Sequence, residues 1–142
     1  MKVLLDTNVI LDIVETRNPF YFNSYRVFSL AAKRVVDAIV GAGSITDIYY
    51  VNRKNCSDSK QALDSIVDLL EVIIPVDTKA EDIRTAINLG FSDFEDAVIC
   101  ATAMREKADY IITRNIDDFS TSPIKAVTPE QFLALPEYDR EP

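Results

Sequence analysis

At 142 residues, with 48% hydrophobic side chains and mean hydropathy near zero, the chain is sized for one soluble globular domain with a core of its own. Histidine is absent and only two cysteines, Cys56 and Cys100, occur, which excludes Ser-His-Asp and Cys-His machinery, histidine-built zinc sites and a disulfide framework. With 23 Asp and Glu against 15 Lys and Arg, a net charge of -8, acid-base and metal work falls to carboxylates, and any nucleic-acid path must be a local basic strip.

The first strand signal is Lys2-Val3-Leu4-Leu5, ended by the polar trio Asp6-Thr7-Asn8; a helical pattern runs from Val9 to Glu15. A carboxylate at the C-terminal tip of a buried strand stands where open α/β sheets place ligand chemistry. Asp6 would equally serve as a helix cap. Asn18-Pro19 stops this helix and starts the next, over 20–33, where Tyr21, Tyr25, Phe28 and Ala32 form one apolar stripe. Val35 to Val40 reads as a strand closed by Gly41-Ala42-Gly43, and Ser44 opens a third helix to about Lys54. Asp47, three residues after Ser44, fits either a capping box or a site acid on that helix. Of Tyr49 and Tyr50, one is expected in the core and the other toward substrate.

Ser57 caps a fourth helix with Ala62, Leu63, Ile66, Val67 and Leu70 on its buried side; Val72 to Val76 follows as a strand that Pro75 suits only at an edge. Thr78 and Glu81 mark a fifth helix closed by Gly90. Next, Asp93, Glu95 and Asp96 crowd the start of a small-residue helix. A capping box between Ser92 and Glu95 and the helix dipole account for one or two of these acids, not three. Asp109 to Thr113 is a strand, 114–119 its loop, Ile124 to Val127 an edge strand, and Thr128-Pro129-Glu130-Gln131 a helix start reaching about Leu135. The charged segment 136–142 is expected to fray. Alternating strand and helix signals point to a parallel sheet with helices on both faces. No apolar run approaches the ~18 residues of a membrane span, and no export leader is evident, so the expectation is a cytoplasmic protein without a membrane partner.

Four blocks, Leu4-Leu5-Asp6-Thr7-Asn8-Val9, Ser44-Ile45-Thr46-Asp47-Ile48-Tyr49-Tyr50, Asp93-Phe94-Glu95-Asp96-Ala97 and Ile112-Thr113-Arg114-Asn115-Ile116-Asp117-Asp118-Phe119, together resemble a PIN domain in order and spacing over residues 1 to about 135. The resemblance implies a Rossmann-like α/β/α sandwich with a central parallel sheet of strand order 3-2-1-4-5, one domain over 1–135 and a tail over 136–142. It implies a carboxylate cluster that binds Mg2+ or Mn2+ and hydrolyses RNA, as in VapC-type toxins. On the matching positions the catalytic acids are Asp6, Asp47, Asp96 and Asp118, with Asp6, Asp96 and Asp118 on the metal. Asp47 stands where the family usually has glutamate, so its metal contact is direct or through water. Asn8, Asp93, Thr113 and Asn115 are supporting groups, and Glu95 is set aside as part of the cap. Asp117 reads as a solvated turn residue and Phe119 as the anchor of its loop.

Crowded carboxylates repel, and a hard divalent cation relieves that repulsion in an all-oxygen site. Arg114 is the expected phosphate contact, or else an ion pair with Asp117 or a neighbouring acid; Arg17, Lys33, Arg34, Arg53, Lys54 and Lys60 are the other basic residues available to an RNA path. The resemblance also implies an antitoxin protein as a possible partner and a homodimer or larger assembly, because Tyr21, Phe22, Tyr25 and Phe28 cannot all enter a small core. The alternatives are a PIN-fold interaction module without nuclease activity and a haloacid-dehalogenase-like phosphatase. The latter needs an aspartate where this chain has Asn8.

Overall fold

A computed structural model describes residues 1–138; the rest of the expected tail, 139–142, lies outside the described residues. Five strands, β1 (Lys2–Leu5), β2 (Asp37–Gly41), β3 (Ile74–Val76), β4 (Tyr110–Ile112) and β5 (Lys125–Val127), form one parallel sheet of order β3-β2-β1-β4-β5. Between them run α1 (Thr7–Val14), α2 (Tyr21–Ala32), α3 (Ala42–Asn55), α4 (Ser59–Leu70), α5 (Ala80–Ile87), α6 (Phe94–Arg105) and, last, α7 (Pro129–Leu133). Side chains alternate across the pleat and so sort into two cores. Val3, Leu5, Ala38, Val40 and Ile112 pack with α1, α2, α3, α4 and α7; Leu4, Ile39 and Ile111 pack with Ile99, Cys100 and Ala103 of α6, and α5 lies against α6. The fold is thus the Rossmann-like α/β/α sandwich, with β1 at the reversal of strand order and Pro75 on an edge strand.

Helix starts differ from the sequence expectation by one to three residues. Asp6, not Asn8, precedes the first helical residue, and its side chain accepts from Thr7 N. Gly41 rather than Ser44 precedes α3, so Asp47 belongs to no capping box. Asp58 rather than Ser57 caps α4, accepting from Gln61 N at 2.7 Å. Lys79, not Thr78, opens α5, its backbone N–H bonded to Asp82 rather than Glu81. Each stretch offers several cap-competent residues in a row, and the seat of the helix on the sheet selects among them. The buried stripe of α4 is also narrower than expected: Ala62, Ile66 and Leu69 are buried, whereas Leu63 is 56% and Val67 53% exposed, and Leu70 is exposed as well. At the other end Tyr138 is buried, its ring stacked on Phe132 at 4.9 Å. The ordered core therefore reaches beyond residue 135, because a large aromatic covers the otherwise open side of Phe132.

Candidate carboxylate site

The register Leu5↔Ile112 sets the tips of β1 and β4 side by side, with Asp6 N donating to Ile112 O at 2.9 Å. The two residues that follow these strands meet: Thr113 Oγ1 donates to Asp6 Oδ2 at 2.8 Å while Thr7 N donates to Asp6 Oδ1 at 2.8 Å. Asp6 thus caps α1 and stands at the paired strand tips at once. Thr113 is wholly buried and its Oγ1 also accepts from Asn115 N at 3.1 Å, which draws the β4 loop over the strand tips. That loop winds into a 3-10 turn, Ile116–Phe119, anchored by Phe119 edge-on to Phe91 at 5.7 Å; Asp117 is solvated and Asp118 is also exposed. Beside Asp6, Thr7 Oγ1 and Asn8 Oδ1 are buried polar atoms without a hydrogen-bond partner among the described residues.

α6 supplies the next acids. Asp93 is its cap, accepting from Glu95 N at 2.9 Å, in place of the Ser92 and Glu95 pair expected. Freed from capping, Glu95 reaches the cleft between α3 and α6, lined also by Asp47, Gly41, Ser44, Thr78 and Thr102. Burial first, then the charges of Asp6, Asp93, Asp118 and Glu95, push the Asp96 carboxyl up to about 7. Asp6 is raised by burial, to which Asp118 adds, while the Thr113 and Thr7 hydrogen bonds and the Arg114 charge work the other way. Glu95 is raised by burial, then by Asp47, Asp93 and Asp6. The charges of Asp6 and Asp118 thus act on Asp96, and that of Asp47 acts on Glu95, a residue set aside at the sequence level. Its signal lay in three acids over four positions with room for only one cap.

Among the described residues no three such side chains close up tightly enough to cage an ion as they stand. The donor set, carboxylates with the orphaned Asn8 and Thr7 oxygens nearby, is all oxygen and fits a hard divalent ion that retains waters, such as Mg2+ or Mn2+.

Arg114 does not pair with Asp117. Its Nε lies 2.7 Å from Oδ2 of Asp12, a wholly buried acid on α1 that sequence reasoning passed over, and its guanidinium sits 4.1 Å from the centre of the Phe20 ring. Burial raises Asp12, and Arg114 offsets this. A lone acid inside the apolar run Val9-Ile10-Leu11-Asp12-Ile13-Val14 was the available signal. Tyr50 is exposed, whereas Tyr49 packs on the core.

A PIN domain family model matches residues 2–117. Ribonuclease VapC1 of Aquifex aeolicus (strain VF5) is 28% identical over 136 residues, 92% of each chain. Two solved structures share the fold: VapBC2 from Rickettsia felis bound to a DNA fragment from their promoter, with TM-score 0.70, 18% identity and coverage of 90% of this chain and 98% of that one; and a toxin-antitoxin complex from Klebsiella pneumoniae, with TM-score 0.67, 21% identity and coverage of 89% and 97%.

Proposed function

The chain belongs to the PIN domain family, and from that premise we propose that it is a divalent-metal-dependent endoribonuclease hydrolysing RNA phosphodiester bonds. The observation that carries the reading is that Asp6 and Asp96 are both raised, each first by burial and then by neighbouring acids, Asp118 in the case of Asp6 and Asp6, Asp93, Asp118 and Glu95 in the case of Asp96. Such a cluster is unfavourable for a metal-free protein and favourable once a cation offsets the charge. Asp6, Asp96 and Asp118 would hold Mg2+ or Mn2+, with Asp47 contributing directly or through water and Glu95 linking it to the others. When bound, the ion supplies Lewis acidity toward a phosphodiester and a nucleophilic water. Thr113 and Thr7 N fix the Asp6 carboxylate in one orientation; Asn8, Asp93 and Asn115 support the acids; Arg114, held by Asp12 and Phe20, contacts the phosphate.

The likeness to toxin-antitoxin proteins supports a role as the toxin of such a pair, with an antitoxin protein as partner, acting in the cytoplasm as a single domain whose core takes in Tyr138 beyond the expected boundary at 135. Among the described residues no helix is long and apolar enough to cross a membrane. Phe22, 67% exposed, and Tyr25, 46% exposed, on α2 support self-association into a homo-oligomer. The decisive test is cleavage of single-stranded RNA with Mn2+ or Mg2+, paired with calorimetry of Mn2+ binding. Wild type should cleave and bind, and Asp96→Asn should lose both. Equal Mn2+ affinity in the two proteins would remove the metal reading. Absence of cleavage of any RNA would leave the PIN-fold interaction module, which the net charge of -8 favours.

A further inference from the structure

Beside Arg114, away from the carboxylates, the approach of α2 to the start of α7 leaves a cavity of about 320 Å³ lined by Phe20, Asn23, Ser24, Arg114, Pro129 and Glu130 among others. We propose that this cavity is a base-recognition subsite that takes an unstacked guanine of the RNA; the inference rests on the nuclease reading above. Its volume is at the low end for small-ligand clefts. Phe20 is 43% exposed, and the Arg114 guanidinium already lies against its ring at 4.1 Å. Aromatic rings and guanidinium planes are the surfaces on which proteins stack unpaired bases. Asp12 pins that guanidinium from within at 2.7 Å, so the wall is preformed.

The polar groups select the occupant. Ser24 is wholly buried at the cavity, and its Oγ has no hydrogen-bond partner among the described residues. An unmet buried hydroxyl is costly, and a ligand edge seated there would relieve it. Glu130 at the rim accepts hydrogen bonds only, and its charge repels phosphate, which favours a base over an anion. A carboxylate matches two adjacent N–H donors, and N1–H with the exocyclic N2 amine of guanine is the nucleobase edge that offers them. Adenine and cytosine place an acceptor beside their amine, and uracil has one N–H between two acceptors. Guanine O6 would then take a hydrogen bond from the Asn23 amide or the Ser24 hydroxyl. Arg114 ties the cavity to the reaction, because its charge also acts on Asp6.

The test uses the full chain in two measurements. In NMR titrations with guanosine and adenosine, guanosine should move the amide signals of Asn23, Ser24 and Glu130 and bind at least about fivefold more tightly. Glu130→Gln should erase that difference, and Asn23→Ala should weaken guanosine binding. In parallel, single-stranded RNAs differing at one position should be cut fastest with guanine there, and Glu130→Gln should flatten the preference. Equal binding of the two nucleosides, signals moving elsewhere, or an unchanged preference in Glu130→Gln would overturn the subsite. RNA cut without base preference overturns it and leaves the nuclease reading intact. Guanosine bound in the cavity with no RNA cut supports the guanine site and removes the nuclease reading.

Discussion

Asp82 and Asp6 are both buried aspartates on this scaffold, and their surroundings are opposite. Asp82, on α5, meets Arg105 Nε at 2.9 Å, Lys79 N at 2.9 Å and Thr102 Oγ1 at 3.4 Å. Burial works to raise its carboxyl, but the Arg105 pair and these donors hold it below the ordinary range. Asp6 also has two donors, Thr113 and Thr7 N, yet burial and Asp118 leave it raised. Asp96, in the first turn of α6, is pushed up to about 7 by burial and then by Asp6, Asp93, Asp118 and Glu95. One acid is a joint between α5 and α6, complete within the protein. The other stays raised although Thr113, Thr7 N and Arg114 offset part of its charge, and acids kept on those terms suit a bound cation.

The largest effect expected from breaking this contrast is on the joint. Asp82→Ala takes the buried acid from the Arg105 guanidinium, which keeps Glu106 and the Asp77 carbonyl, and the acceptor from the Lys79 N–H, and should lower unfolding free energy by about 3 kcal/mol, read from urea denaturation. Asp96→Asn in chelator should cost nothing and raise the midpoint, because it removes repulsion. An Asp82→Ala protein as stable as wild type would dissolve the distinction. On the chemical side the order reverses. Asp6→Asn and Asp96→Asn should weaken Mn2+ binding about tenfold or more and cut RNA cleavage by about a hundredfold, whereas a destabilised but folded Asp82→Ala should still bind Mn2+. Calorimetry and a cleavage time course separate the two.

The pH dependence sharpens the same comparison. Asp96 moves from an ordinary value of 3.8 to about 7 in the folded protein, so the folded state holds the extra proton between those values. Its contribution is full below about 3.8 and is lost as pH rises through about 7. In chelator, stability should therefore fall by roughly 1 to 2 kcal/mol between pH 5 and 8, after allowance for solvent screening. Asp96→Asn should flatten that slope. Asp82, lowered in the fold, acts in the other direction: its contribution is present above the ordinary value and disappears as pH drops through the folded one. A wild-type slope unchanged in Asp96→Asn would show that another group titrates.

Much of the site was legible because the strand tips are local features. Short apolar runs ending in Asp6 and Thr113 mark β1 and β4, and their parallel pairing brings the two residues to 2.8 Å. Helix caps were less legible: Ser44, Ser57, Thr78 and Ser92 each compete with a neighbour for the same backbone N–H groups, and sheet packing decides among them. That competition hid Glu95 behind Asp93. The Asp12 to Arg114 pair was invisible for another reason. Its partners are 102 positions apart, and only the β1-β4 pairing brings α1 under the loop after β4. Local pattern carries no such long-range contact.

That pair sets the smallest effect expected and the choice of variant. Arg114→Ala removes the guanidinium but also leaves Asp12 buried without its cation, so any loss would mix a phosphate contact with a disturbed α1. Arg114→Lys keeps a charge beside Asp12 while abolishing the planar fork and its stack on Phe20. If the fork grips RNA, cleavage should drop about tenfold, chiefly in KM, with Mn2+ affinity within about twofold of wild type. The drop should shrink as salt rises, because a phosphate contact is screened. A lysine variant that cleaves at the wild-type rate across salt would make Arg114 a strut for Asp12 alone. The phosphate contact would then fall to the other basic residues, and the raised carboxylates would be the only part of this end of the sheet engaged with RNA.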